Sequence, residues 1–352
     1  MRTPAHSPRR GSSGFSIVEI MVGMVIAMVG IVIMAAVLIN SEERNRTTAS
    51  GNDAFSSGAI MLHMLQKDLQ QAGYGMNTLN LLNCNLTLPS GASVPLAPAV
   101  VNPSTTLLPA GDTNTDRLLV AFGNDDGQPE GNAINNVAGA VYTVQAPTAF
   151  HVNDYVVAYP AGCAANLTLA RVTAIDAVSV TVDTAVAGGT VLYNLGNSPR
   201  FVGYRIRNGA LQSCDYLASD CRTNSGQWVD VTGNIVSLQA RYGRDTSAVG
   251  SMDGLPDVWD QTTPTSACGW ARTSAVRVAL VARSNQYETK LDSSTQQRVC
   301  DQVTTTANAP TWSNGVSINL SANSSWQCYR YRTFEAIAPT RNVIWMGIQG
   351  SC

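Results

Sequence analysis

Between Phe15 and Ile39 the chain runs for 25 residues with a single ionisable side chain, Glu19. As a helix this stretch is roughly 37 Å long at about 1.5 Å per residue, enough to cross a bilayer core of about 30 Å. Ahead of it, residues 1–14 carry Arg2, Arg9 and Arg10 and no acid. That charge holds the N-terminus in the cytoplasm and sends the rest of the chain across. An ordinary secretory signal has its small-residue cleavage site after the apolar stretch. Here the small residue, Gly14, lies before it, and Val37-Leu38-Ile39 passes straight into Asn40-Ser41-Glu42-Glu43-Arg44. A plain signal anchor with a stray Glu is the competing reading. A carboxylate near the end of a membrane-spanning helix is costly without a partner, and the neighbouring sequence offers none. The partner is therefore expected on another molecule or at a new N-terminus of the chain itself, which points to an assembly protein and away from an enzyme.

Charged residues make up 13% of the 352 residues, against about 25% in typical soluble domains. Ser, Thr, Asn and Gln supply the polarity. Removal of residues 1–14 would take away three arginines and no acid, moving the net charge from −2 to −5. Such a chain has no basic field for capturing nucleic acid, and no nucleic-acid partner is expected. All eight cysteines lie beyond the apolar run. An even number outside the cytoplasm reads as disulfides. Cys214 and Cys221 bracket Asp215–Asp220 and are candidates for a local staple. A zinc site is disfavoured, because there is no C-x-x-C pair and the only histidines are His6, His63 and His151.

Phe55, Ala59, Leu62, Leu65, Leu69 and Ala72 recur at steps of three and four, the mark of an amphipathic helix face. Gly73 is its natural stop, and Gly51-Asn52 is a candidate interruption between the two helical stretches. Beyond Gly73 come short alternating runs separated by Gly, Pro, Asn and Asp. Candidate strands are 117–122, 140–145, 155–159, 168–173, 179–182, 200–207, 235–242, 275–282 and 328–337, and they favour an antiparallel head. Residues 77–110 and 284–323 read as irregular, the latter as an exposed insertion. The fold class expected is α+β: a long N-terminal helix, its first half membrane-spanning, with its second half packed on a mostly antiparallel β head. The divisions are 1–14 as leader, 15–39 as membrane helix, 40–73 as its amphipathic continuation, and 74–352 as a disulfide-containing β-rich head outside the cytoplasm, which the resemblance described next would place in the periplasm.

The junction Gly14–Phe15 with Glu19, in GFSIVEIMVGMVIAMVG, resembles the class III signal of type IV pilins and type II secretion pseudopilins. The resemblance implies cleavage after Gly14 by a prepilin peptidase, methylation of Phe15, and pairing of Glu19 with an N-terminal ammonium during fibre assembly. The physics agrees, since a buried carboxylate neutralises unless a positive charge comes close, and a buried ion pair can set register even where it adds little stability. Three further stretches resemble minor pilins of the PilW type: Leu65–Gly75 (LQKDLQQAGYG), Ile235–Gly243 (IVSLQARYG), and Tyr329–Glu335 with Pro339–Trp345. This resemblance implies a low-abundance subunit that initiates or caps a type IV pilus and serves twitching motility. It would work with other minor pilins, the major pilin and the inner-membrane assembly platform, and would pass from the inner membrane into the fibre at the cell surface. A type II secretion pseudopilin is the nearest alternative. A tip adhesin or DNA-binding subunit is the alternative of a different class.

In PilW-like chains the stretch after Tyr242 is often a denser acidic loop of the D-x-D-x-D-G sort, able to hold calcium. This chain departs from it. Ser247 and Val249 stand where the next acids would be, which leaves Asp245, Asp253 and Asp257 as sparse calcium candidates and turn formation as their simpler role. No other metal or cofactor is expected. Neither His63 nor His151 accompanies a nucleophile-elbow serine, and there is no phosphate loop. Trp259, Trp270, Trp312 and Trp326 fall in loop-like stretches, with core packing their expected role.

Overall fold

The computed structural model describes residues 16–124, 128–186, 188–223 and 227–352, so Gly14 and Phe15 lie outside the described residues. The chain divides into two compact units, residues 1–50 and 51–352, and the division falls within helix α1 (Ile17–Gln71), 55 residues long. Gly51-Asn52 does not interrupt it. One helical glycine costs only about 1 kcal/mol, a small loss within a helix of 55 residues. The helix ends at a glycine conformation: Gly73 has φ of +80°, and its N–H donates to the Ala121 carbonyl at 2.8 Å.

In the second unit, the buried stripe of α1 comprises Ala54, Gly58, Leu65, Leu69 and Ala72, flanked by partly buried Met61 and Leu62. This is the expected helical face displaced by one position at its N-terminal end. Phe55 is 55% exposed and Ala59 half-buried. The reason is Gly58. A Cβ there would stand 2.2 Å from the Phe334 ring, so this position, lacking a side chain, is the one that faces the sheet.

The head contains nineteen strands among the described residues. The first four are β1 (Asn85–Thr87), β2 (Ser93–Pro95), β3 (Ala99–Val101) and β4 (Leu118–Phe122). They are followed by β5 (Asn132–Ala138), β6 (Val141–Val144), β7 (Tyr155–Tyr159), β8 (Leu167–Ile175), β9 (Ser179–Val182) and β10 (Val191–Gly196). Then come β11 (Arg200–Arg207), β12 (Ala210–Asp215), β13 (Val229–Gly233), β14 (Ile235–Arg244), β15 (Val258–Asp260) and, after helix α2 (Ala267–Ala271), β16 (Thr273–Arg283). A hairpin of β17 (Thr289–Leu291) and β18 (Arg298–Cys300) precedes β19 (Tyr331–Pro339) and helix α3 (Arg341–Ile344).

Strands β5 to β10 form a small barrel. Their order is β8-β7-β10-β5-β6-β9, and β8 also pairs with β9, which closes the ring. Tyr142, Val144, Val156, Ala158, Ala170, Val172, Val180 and Val182 fill it at every second position. On β7, β8 and β10 the intervening residues Val157, Leu169, Tyr193 and Leu195 belong to the main core, so these strands are apolar on both faces. The barrel lies wholly within the connection from β4 to β11, two strands that pair with each other from Arg200↔Phe122 onwards.

The main core lies among α1, a five-stranded sheet (β13-β12-β11-β4-β3) and a four-stranded sheet (β15-β14-β16-β19). Val276, Val278, Leu280 and Ala282 of β16 face that core. Ala279 and Val281 face the other way and are covered by Trp312 and Ile318. Residues 284–323 are therefore not simply an exposed insertion. They hold the β17–β18 hairpin and a cover for the second face of the sheet. Likewise residues 77–110 contain three strands of three residues each, too short to display a period of two in sequence. The final strand starts at Tyr331, later than the sequence suggests, because Trp326–Cys328 forms a 3-10 turn and Cys328 is bonded to Cys300. The architecture is α+β, a long N-terminal helix with a mostly antiparallel β head, as the sequence implies.

Candidate assembly surface and head loop

In the first unit α1 offers a surface with nothing on it. From Ile17 to Ile39 it is 23 residues long, has a mean hydropathy of 3.0, and buries none of that surface. Ile17, Met24, Ile26, Met28 and Leu38 are each about two-thirds or more exposed. A helix that is apolar all round belongs in an apolar surrounding. Glu19 sits in its first turn and is exposed. No described residue pairs with it. Its position gives it one local source of support, the unpaired N–H groups at a helix N-terminus, which favour negative charge.

The end of α1 is held from the far end of the chain. The Asn342 side-chain amide donates to the carbonyls of Gln71 at 2.9 Å and Ala72 at 3.1 Å. Those carbonyls have no intrahelical N–H available. On the same helix Asp68 accepts from the Tyr204 hydroxyl. Burial first, then the Asp68 charge, pushes the Tyr204 phenol well above its usual range. Asn342 lies within the Pro339–Trp345 stretch singled out in the sequence, although nothing in its residue type reveals a cap 270 residues away. Next to it Trp345 is 73% exposed, whereas Trp270 and Trp312 are buried.

The loop from Asp245 to Asp257 is satisfied internally. The Asp245 carboxylate, 2% exposed, accepts backbone N–H groups from Ser247 (2.9 Å), Asp253 (2.9 Å) and Gly254 (3.1 Å). Burial raises its pKa, but these hydrogen bonds outweigh it and hold the carboxyl below its usual range. The counter-charge is Arg272, with Nη1 3.7 Å from Asp245 Oδ1. Arg272 also donates to the carbonyls of Ser247 (2.7 Å) and Cys352 (2.9 Å). Asp257 accepts from the Thr246 N–H and hydroxyl, and Asp253 from the Leu255 N–H. The three calcium candidates are thus each turned onto loop backbone or a loop hydroxyl. Among the described residues no three acidic, His or Cys side chains converge into a metal-holding group. Arg272 is thus the counter-charge beside Asp245, and no sequence signal marks it for that task.

The cysteines pair as Cys84–Cys163, Cys214–Cys221, Cys268–Cys352 and Cys300–Cys328. Cys214–Cys221 closes the short loop after β12. Cys268–Cys352 ties the C-terminus beside Arg272, so loop, α2 and chain end form one network. His63 is exposed on α1. The His151 ring is 3.7 Å from Asp154, a buried carboxylate that also accepts from the Asn194 amide at 2.8 Å.

No curated protein matches the chain. Among solved structures a type IV-like pilin from Thermus thermophilus is similar, with a TM-score of 0.32 and 12% identity over 82% of this chain and 96% of that one. A family model, PilW, type IV pilus-assembly protein W, matches residues 206–342. That span runs from the end of β11 through the Asp245 loop, the four-stranded sheet and Asn342. Over that part of its head, somewhat more than a third of the chain, the sequence is similar to type IV pilus-assembly protein W.

Proposed function

We propose that this chain is a minor pilin that primes or caps a type IV pilus. In this reading a prepilin peptidase cuts between Gly14 and Phe15, and Phe15 is methylated. Ile17–Ile39 then anchors the subunit in the inner membrane with the head in the periplasm, and later packs among equivalent helices in the fibre. Glu19 sets the register by meeting the ammonium of a neighbouring N-terminus or of its own. Its partners are the major pilin, other minor pilins and the inner-membrane assembly platform. The single observation that carries the reading is the uncovered apolar surface of Ile17–Ile39, broken only by a carboxylate in its first turn. Lipid and a bundle of like helices are both apolar on every side, so such a surface can pass from one to the other without exposing itself to water.

The first test is the intact mass of the N-terminal peptide recovered from membranes of the native cell. A peptide starting at methylated Phe15 is expected, and one retaining residues 1–14 in cells with active prepilin peptidase would overturn the reading. The second test is Glu19→Ala, which should leave cleavage intact and abolish incorporation into fibres. Normal piliation in that variant would remove the register mechanism. Deletion of the chain should cost surface pili and twitching. Loss of protein secretion with pili intact would transfer the chain to the secretion pseudopilins.

A further inference from the structure

A cleft of about 380 Å³ opens on the head where the β11–β12 turn, the end of β16, the start of β19 and residues 319–323 come together. Its volume falls within the range of about 300–1,000 Å³ usual for small-ligand sites. We propose that it binds an acidic sugar, whose carboxylate pairs with Arg283 and whose ring lies along Tyr331. This goes beyond the assembly role and does not depend on it.

Arg283 carries the argument. Neighbouring arginines of the head have carboxylate partners: Arg277 has Glu335, Arg330 has Glu288 and Arg244 has Asp260. The Arg283 guanidinium has no acceptor among the described residues; its Nε, like that of Arg244, is shielded from solvent and unpaired, but Arg244 still has its carboxylate. The Arg283 guanidinium carbon lies over the Tyr329 ring, 4.4 Å from the centroid. A shielded N–H without a partner is costly, and a guanidinium fork matches a carboxylate with two parallel hydrogen bonds.

The other lining groups define what the remainder of the ligand must be. The side-chain oxygens of Asn319 and Asn323 are committed to their own turns. Asn319 accepts from Ser321 N–H at 2.9 Å and the Ser321 hydroxyl at 2.7 Å, and Asn323 accepts from Ser325 N–H at 2.9 Å. Their amide NH₂ groups are left as donors. Asp112 is the one acidic group lining the cleft. It is fixed by the N–H groups of Asn208 (3.0 Å) and Gly209 (2.9 Å), in a turn where both residues have positive φ. A carboxylate accepts at about four sites, so Asp112 retains capacity for ligand hydroxyls. Its charge also disfavours a more highly charged anion such as phosphate. Several donors, one acceptor, a free guanidinium and an aromatic wall together suit a ring bearing one carboxylate and several hydroxyls.

The test is titration of the full-length protein in non-ionic detergent, read by calorimetry and by saturation-transfer NMR. The probes are oligogalacturonate and glucuronate, their neutral counterparts galactose and glucose oligomers, and N-acetylglutamate as a carboxylate without a sugar. Saturable binding of an acidic sugar is expected, roughly tenfold or more tighter than its neutral counterpart. Arg283→Met should abolish that preference without lowering Tm, since it removes a buried unpaired N–H and keeps the stem. Asn319→Asp, on the exposed rim, keeps the turn acceptor while replacing a donor with a charge, and should weaken binding by a similar factor. It decides the matter if Arg283→Met fails to fold. The proposal is overturned if the wild type binds no acidic sugar saturably, if both variants bind as the wild type does, or if N-acetylglutamate binds as well as the sugars.

Discussion

The two ends of α1 share one secondary structure and carry opposite kinds of information. Ile17–Ile39 is apolar on every side and buries nothing. From Gly51 to Gln71 the apolar residues form a stripe, and Leu65 and Leu69 have no exposure at all. A stripe names one partner and one rotation about the helix axis, because every other rotation places a polar residue in the core. A uniformly apolar cylinder names neither, and it accepts any apolar surrounding. The first end is therefore suited to exchanging surroundings and the second to holding a single head. The single departure from uniformity at the first end, Glu19, is the one place there where orientation can be specified.

Substitution of the stripe should have the largest effect on the head. Leu65→Ala removes a fully buried side chain and should cost about 2–5 kcal/mol, measured by denaturant unfolding of the full-length protein in detergent. A loss below about 1 kcal/mol would mean that the stripe does not hold the head. Next is Gly58→Val. The added Cβ would meet the Phe334 ring at 2.2 Å, and overpacking of this kind costs about 1–3 kcal/mol. Gly58→Val combined with Phe334→Ala should recover part of that loss, and absence of any recovery would show that the two residues do not oppose each other.

Asn342→Ala leaves the Ala72 carbonyl without its donor and the Gln71 carbonyl with the Tyr74 N–H alone, and a loss of about 1–2 kcal/mol is expected. It should appear as fraying at the end of α1, read by hydrogen exchange over residues 68–76. Alkaline pH should act on the same core through its tyrosines. Burial pushes Tyr242 up to about 12, and raises Tyr204 and Tyr216 as well. In the unfolded chain tyrosine loses its proton near pH 10. The folded state thus holds more protons above that pH, so its stability is complete below about pH 10 and falls as pH rises towards 12. Tyr242→Phe should reduce that slope, and an unchanged slope would remove Tyr242 from the account.

Much of the helix and little of the head's closure was legible in the sequence. The apolar run, the amphipathic spacing and Gly73 rest on local rules of period and conformation, which sequence displays directly. The barrel does not. Its closure depends on β8 pairing with both β7 and β9, and Asn132–Ala138 is too polar to signal a strand. The one-position displacement of the stripe depends on Phe334, far along the chain, meeting Gly58. The candidate sites divide in the same way. Glu19 stands out because its surroundings in sequence are uniform. Arg283 and Arg272 resemble any other arginine until the fold reveals which of them has an acceptor. Asp245, Asp253 and Asp257 read in sequence as turn formers first and sparse calcium candidates second, and in the fold each accepts from N–H groups of its own loop.

The smallest expected effect is the sharpest test of the contrast within α1. Ile26 is 68% exposed and lies in the first unit. Ile26→Ala should change the unfolding free energy of the head by no more than about 0.5 kcal/mol, as for substitutions away from packed features. The same truncation at Leu65 should cost several times as much. A fall in head stability comparable to that of Leu65→Ala would show that the apolar cylinder is bound into the head, and the division of labour along α1 would be wrong. With head stability unchanged, any loss of the variant from membranes or fibres would be assigned to the helix surface itself, because the folded head would be the same in both proteins.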